Sequence, residues 1–397
     1  MPRHAIIVGA GIGGLTAALC LTRQGWQVTV LEAASALENV GAGLQLSPNA
    51  TRVLLALGLE APLRKDAFEP EALELCLGRS GQRIFRIPVG SAAETRWGAP
   101  YLHIHRADLV RVLADATQGA GNVDLRLNSP VERYENREDG VSVTTKSGET
   151  LNADIVIGAD GIHSTLRAQM LGPEKPRFTG NLAWRVTVPI HRLNNPPPPT
   201  ACVWAGRGRH AVTYRLCGGD VVNFVGVVER SDWRGESWVE EGSRRDMLAD
   251  YAGWNLTLTE IINKADSHFR WALFDRPALS HWTDGRVALL GDACHPMLPF
   301  MAQGAAMGIE DAWVLAEELS RDVETPAALK LYETRRLPRA TRVQVASRAN
   351  MKTFHRRTPL SRLATYAPMW AAGQVLPGFV RSRQDWIYGY DVTSTDQ

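Results

Sequence analysis

With 397 residues, 45% of them hydrophobic and 22% charged, the chain has the make-up of a folded enzyme and room for one large or two ordinary domains. A formal net charge of +2 leaves no electrostatic footprint for a nucleic-acid partner. Five scattered cysteines (Cys20, Cys76, Cys202, Cys217, Cys294), none in CxxC spacing, read as reduced thiols and argue against a disulfide framework or a zinc site.

The chain opens with Arg3 and His4 before an apolar run, which superficially resembles a targeting segment. Gly9, Gly11, Gly13 and Gly14 interrupt that run, and no other stretch approaches the roughly 20 apolar residues that span a bilayer. A soluble cytoplasmic protein is expected, with no membrane partner. Ala5 to Val8 reads as a strand, Leu15 to Arg23 as a helix and Val28 to Leu31 as a second strand, a βαβ unit that implies a parallel sheet. Further apolar strands are Ile155 to Ile157, before Gly158-Ala159-Asp160-Gly161, and Val287 to Leu290, before Gly291-Asp292. Between them Ala183 to His191, Ala201 to Trp204, His210 to Leu216 and Val221 to Glu229 read as strands of an antiparallel layer. Asn194 to Pro199, with four consecutive prolines, is a loop between the first two. A helix is expected over about 305 to 320, and the remainder is mostly helical. The basic stretch Arg335 to Arg357 lacks aromatic interleaving and reads as a solvated helix face.

Gly9-Ala10-Gly11-Ile12-Gly13-Gly14 satisfies GxGxxG between a strand and a helix, with Glu32 roughly twenty residues on. Gly9 permits the tight turn, Gly11 the approach of a pyrophosphate, and Gly14 close packing of helix on strand. The helix N-terminus offers free N–H groups and partial positive charge to phosphates. Glu32 can accept hydrogen bonds from a ribose diol and would repel a 2′-phosphate, so the site takes FAD or NAD. The fingerprint alone does not separate the two.

Two later segments do. Gly158-Ala159-Asp160-Gly161-Ile162-His163-Ser164-Thr165-Leu166-Arg167 and Gly291-Asp292-Ala293-Cys294-His295-Pro296, running on to Gln303-Gly304-Ala305, follow the fingerprint in order. With them, nearly the whole chain resembles the flavin-dependent aromatic hydroxylases, the group that includes p-hydroxybenzoate and salicylate hydroxylases. The resemblance implies an α/β fold: a Rossmann-like FAD-binding domain in two parts (1–175 and 276–345), an inserted antiparallel β-sheet substrate domain (176–275) and a C-terminal helical region (346–397). It implies that Asp292 bonds the ribityl chain and that Gly304 and Ala305 open a helix aimed at the flavin pyrimidine ring. It places Asp160 near both FAD and the nicotinamide nucleotide, sets Arg106 against FAD, and puts Val131 along the adenine. Ala33, Gly43, Gln45 and Pro299 join the cofactor-binding set on the same ground. As a bare sequence feature, Arg106 also fits a surface arginine at a helix start, and Asp160 and Asp292 fit turn or cap carboxylates.

The family chemistry so implied is reduction of FAD by transiently bound NADH or NADPH, addition of O2 to give a C4a-hydroperoxide, and attack by a phenolate ring. No second glycine fingerprint is present for a dedicated nicotinamide domain. Substrate would be a small phenolic or hydroxy-aromatic acid, and the protein a monomer or homodimer. In His210-Ala211-Val212-Thr213-Tyr214, His210 and Tyr214 fall on one strand face about 13 Å apart, too far to bond each other but able to bracket a ring. The pair matches one in 6-hydroxynicotinate 3-monooxygenase and 3-hydroxybenzoate 6-hydroxylase, and marks both residues as catalytic candidates. Each also fits a structural role. The chain departs from the former enzyme at Gln45, where that group carries histidine, and from the latter at Pro299, where a polar residue stands. His295 could reach the site or serve the core. The aromatics of Asp385 to Asp391 read as packing. Other readings are a same-fold monooxygenase acting on a larger apolar ring or alkene, a flavin-free binding protein like the GDP-dissociation inhibitors, and an NAD-dependent dehydrogenase.

Overall fold

Strands that are apolar throughout need cover on both faces, and here they receive it. In the computed structural model, which describes residues 3–37, 43–230 and 240–394, the βαβ alternation builds a six-stranded sheet. His4–Val8 pairs in parallel with Gln27–Leu31 on one side and Ile155–Gly158 on the other. Val123–Arg126 extends the sheet beyond Gln27–Leu31, and Val287–Leu289 extends it beyond Ile155–Gly158. Thr283–Asp284 closes that edge antiparallel. Ala5, Ile6, Ile7, Ile155, Val156 and Ile157 are fully buried, as expected for a doubly covered parallel sheet. The chain winds outward in opposite directions from His4–Val8, so a switch point opens at the carboxyl ends of His4–Val8 and Ile155–Gly158. The first helix, Ile12–Arg23, begins three residues earlier than its composition suggests. Gly11 is itself the N-cap and Gly13 and Gly14 lie inside the helix, where packing outweighs glycine's poor helix propensity.

The four expected strands form the centre of a second, eight-stranded sheet, as Arg177–Pro189, Ala201–Gly206, Arg209–Leu216 and Val221–Glu229. The layer is not purely antiparallel. Ala201–Gly206 pairs in parallel with Ala72–Leu77, which brings Arg83–Pro88 with it. These two strands arrive from the stretch assigned to the first nucleotide-binding part. A parallel partner 128 residues upstream leaves no local signature, because the crossover is too long to read as a unit. Helices Arg244–Asp250 and Leu256–Lys264 cover one face over a core of Trp184, Phe224, Tyr251, Trp254 and Ile261. On the other face Arg185, Val203, Val212 and Val225 alternate with buried neighbours yet stay partly exposed. That face therefore lines a hollow. Among the described residues, no helix is long and apolar enough to cross a membrane.

Helix Gly304–Leu319 packs on the first helix and on the 30-residue helix Thr325–Phe354. The long helix runs unbroken past residue 345, and although Arg342 and Lys352 on it are exposed, several of its other basic residues turn inward to acids. Arg336 is fully buried between Glu310 and Asp311 at 2.7 Å from each, Arg339 also meets Glu310 at 2.7 Å, and Arg348 meets Asp275 at 2.8 Å. Two fully buried carboxylates at neighbouring positions of the facing helix need cations, and charge spacing along one helix cannot reveal them.

Candidate active site

The fingerprint glycines divide into two physical roles. Gly9 has φ +105°, and a Cβ there would lie 2.5 Å from the Ala159 carbonyl oxygen. A Cβ on Gly14 would overlap the Gly9 carbonyl oxygen. Both are therefore required by the turn itself. Gly11 is different, since among the described residues no heavy atom lies within 4 Å of its added Cβ. The open side of Gly11 faces the first turn of Ile12–Arg23, where no described side chain caps the N–H groups and no acidic residue offsets their partial charge. A diphosphate fits that opening.

Glu32 is anchored from both sides: Oε2 accepts from the Ala10 N–H at 2.7 Å and Oε1 from the Ala34 N–H at 2.9 Å. Each oxygen keeps a lone pair for a ribose hydroxyl. Ala33 is exposed beside it. The Ser129 N–H donates to the Glu32 carbonyl at 2.8 Å, which brings buried Val131 to the same edge. Asp160 plays two parts. Its Oδ2 accepts from the Thr165 N–H at 2.8 Å at the start of Thr165–Leu171, while its buried Oδ1 has no partner among the described residues. An orphaned buried carboxylate oxygen is costly and calls for a polar ligand.

Asp292 is exposed on the tight turn Gly291–Ala293. Gly304 starts helix Gly304–Leu319 with Ala305 next, and no described side chain caps that helix or places an acid in its first turn. A Cβ on Gly308 would lie 3.7 Å from the Cα atoms of both Gly13 and Gly291, so both helices and this turn converge there. Arg106, exposed at the head of Arg106–Gly119, stands close enough to act on the charge of Asp292 and Arg185. Pro299 is exposed at the head of a short turn whose next residue, Phe300, is buried. An unfilled diphosphate turn, an anchored ribose acceptor, an orphaned carboxylate oxygen and a second free helix start all fit FAD.

Across the hollow lie the two catalytic candidates, buried on one sheet face as their spacing implied, and not bonded to each other. The Tyr214 hydroxyl donates to the Gly43 carbonyl at 2.6 Å, and a Cβ on Gly43 would lie 2.6 Å from the tyrosine ring. Burial pushes the Tyr214 pKa up, with Arg185 opposing, so this phenol is neutral and its proton committed to Gly43. Gln45 accepts from the Tyr101 hydroxyl at 2.8 Å. Gly41 and Ala42, which directly precede Gly43, lie outside the described residues. His210 Nδ1 meets His355 Nε2 at 2.7 Å, and the His210 ring packs against Phe300 and Phe354 at 5.3 and 5.2 Å.

Residues 355, 300 and 354 escaped the sequence reading because only the fold returns the end of the long helix to this strand. Arg185 was missed as well, although a lone arginine on the inward face of an apolar strand was a signal. Its guanidinium lies 5.0 Å from the Trp271 ring, and its buried Nε has no hydrogen-bond partner among the described residues. Burial lowers its pKa to about 10, with Tyr214 opposing and Arg106 adding to the effect. His295 faces the core: its Nε2 meets Asp311 Oδ2 at 2.5 Å. Burial disfavours its charge, but Cys294 and Asp311 outweigh that and hold its pKa well above the usual value. The C-terminal aromatics pack as expected, Tyr388 edge-on to Trp97 and Tyr390 beneath Arg339.

This arrangement of fold and cradle defines an FAD-binding flavoprotein. Residues 3–347 match the family model described as "FAD binding domain". The chain is 39% identical over 356 residues, 89% of each chain, to a 3-amino-4-hydroxybenzoate 2-monooxygenase of Streptomyces platensis. It is 37% identical over 396 residues to the 6-hydroxynicotinate 3-monooxygenase of Bordetella bronchiseptica, covering 98% of this chain and 96% of the relative. The crystal structure of Klebsiella pneumoniae HpxO complexed with FAD and uric acid superposes with a TM-score of 0.84 at 27% identity, covering 95% of both chains. The chain belongs to the family of flavin-dependent aromatic hydroxylases that share this FAD-binding domain.

Proposed function

We infer that the protein is a single-component FAD-dependent monooxygenase that hydroxylates a small hydroxy-aromatic acid, using NADH or NADPH and O2. The observation that carries the acid is Arg185, a partly buried cation with an unmatched N–H on the wall facing the cofactor cradle. A guanidinium so placed suits a planar carboxylate, which it can grip through two parallel hydrogen bonds. Val203, Val212 and Val225 floor the same hollow, supplying an apolar wall for a ring and keeping water away from it. Bound FAD would be held by the Gly11 turn, Glu32, Asp160, Asp292 and the Gly304 helix start, and would supply the activation of O2. Tyr214 holds the Gly43 strand at the cofactor's edge, and His210 faces the ring as proton acceptor. All these residues come from one chain, so a monomer or homodimer suffices.

The test is a panel of hydroxybenzoates and hydroxypyridine carboxylates, read by stimulated NADH oxidation with product identification. Arg185→Gln is expected to raise KM with kcat little changed. A charged hydrogen bond is worth about 1.5–3 kcal/mol, which is roughly ten- to a hundredfold in KM. Equal turnover of the matching phenols without a carboxyl group would refute the acid.

A further inference from the structure

A phenol that ionises in this hollow must send its proton elsewhere, and a chain of groups leads out from His210. His210 Nδ1 meets His355 Nε2 at 2.7 Å, and His355 Nδ1 meets Glu229 Oε1 at 3.0 Å. Glu229 Oε2 pairs with Arg357. The side chains emerge in order: His355 is 2% exposed, Glu229 26% and Arg357 73%. Phe300 and Phe354 pack against the His210 ring, and the Tyr251 hydroxyl donates to the His210 carbonyl at 2.9 Å, fixing the strand there.

The order of donors follows from the carboxylate. Ionised Glu229 can only accept, so Nδ1 of His355 carries a hydrogen. Neutral His355 then has a bare Nε2, and His210 must donate to it from Nδ1. That leaves a lone pair on His210 Nε2, which has no hydrogen-bond partner among the described residues. The logic is that of a carboxylate orienting a histidine base, lengthened by one ring.

We propose that His210, His355 and Glu229 form a proton relay from the substrate hollow to solvent, with His355 and Glu229 as positioning residues that fix His210 as the base. The proposal rests on the phenolic-acid reading above. The phenol O–H bond breaks as its proton joins His210 Nε2. The Nδ1 proton of His210 passes to His355 Nε2, and the Nδ1 proton of His355 passes to Glu229 and on to water. One proton enters, one leaves, and no electrons change hands. The reverse sequence returns a proton to the product's phenolate and restores the starting tautomers. Burial lowers the His210 pKa far below its ordinary value, and the neighbouring His355 adds to the effect. Burial likewise lowers that of His355, where Glu229 opposes and Arg357 and Arg209 add to the effect. Both rings are thus neutral at rest.

The first readout needs no substrate. In FAD-loaded protein labelled with 15N-histidine, with signals assigned through His210→Asn and His355→Gln, both rings are expected to carry hydrogen on Nδ1. Hydrogen on Nε2 of His210 overturns the relay. The second uses 3-hydroxybenzoate or 6-hydroxynicotinate, whichever stimulates NADH oxidation. His355→Gln keeps a hydrogen-bond partner for His210 but cannot pass a proton. Near neutral pH its hydroxylation step should slow about ten- to a hundredfold while flavin reduction is unchanged, a smaller loss than deletion of a base. The deficit should shrink as pH nears about 10, where phenols ionise unaided. Glu229→Gln should move in the same direction. A pH-independent loss, or none, overturns the relay while leaving the monooxygenase reading standing. Turnover of neither compound counts against the substrate reading, and the tautomers then decide the relay alone.

Discussion

Gly11 and Gly14 stand three residues apart in one motif, yet the structure separates their consequences. A side chain at Gly14 collides with the Gly9 carbonyl, whereas one at Gly11 enters open space with ordinary backbone angles (φ −74°, ψ −177°). Gly14→Ala is therefore expected to destabilise the fold by about 1–3 kcal/mol, in keeping with overpacking. Gly11→Asp should fold with unchanged urea midpoint but purify colourless, because its carboxylate occupies the diphosphate's place. A yellow Gly11→Asp protein would remove the diphosphate from that turn. Asp292→Ala, removing one exposed acceptor, should lose roughly ten- to a hundredfold in FAD affinity by titration with the fold intact. At this scale the steric roles of the fingerprint glycines were legible, and the proposed substrate wall was not. Glycine spacing is a steric statement that survives without a fold. Arg185 and His355 acquire meaning only when strand register and the end of a distant helix bring them to the same hollow.

Among elements, the pairing of Gly304–Leu319 with Thr325–Phe354 departs most from its sequence pattern. Part of the expected solvated face is instead an ion cluster that joins His295, Asp311, Arg336, Glu310 and Arg339 in the core. Arg336→Met leaves two buried carboxylates under-compensated and should cost about 3–5 kcal/mol at pH 7 in urea unfolding. Burial alone would raise the Asp311 pKa, but His295 and Arg336 outweigh it and hold it at about 2. Its folded value lies below the unfolded one of about 3.9, so its stabilisation is present above that pH and is lost as pH falls toward 2. The gap between wild type and Arg336→Met should accordingly narrow between pH 4 and pH 2. A gap that widens there would show that Arg336 does not act through these carboxylates. The first helix and the apolar strands were readable because their burial is recorded in their own residues. The cluster was not, since each charge looks solvated until its partner's helix is placed.

For the whole molecule, the α/β architecture with an inserted sheet followed from the order of three motifs around a region of alternating strands. What stayed hidden was the contribution of Ala72–Leu77 and Arg83–Pro88 to that sheet, a pairing with no local trace. The proposed cradle draws on the Gly11 turn, the Val131 edge, the Asp160 and Asp292 turns and the Gly304 helix start, which are scattered over some 300 residues of chain. A ligand that binds only when all are in place stabilises the whole fold by mass action. FAD at 100 times its Kd should add about 2.7 kcal/mol to the unfolding free energy. Absence of any rise on adding FAD to stripped protein would mean that these pieces do not meet on the cofactor.

The long helix has a mechanical consequence. It is pinned at Arg336, and farther along Gln344, Ser347 and Asn350 donate to the carbonyls of Pro296, Leu298 and Phe300 at 2.8, 2.7 and 3.2 Å. His355 lies 19 residues beyond Arg336, about 28 Å at 1.5 Å per residue. A tilt of one degree about Arg336 would carry the imidazole about 0.5 Å, enough to spoil a 2.7 Å contact within a few degrees. The three rivets along the loop hold that arm still, so the stiffness of a helix outside the cradle sets how often the two rings stay in register.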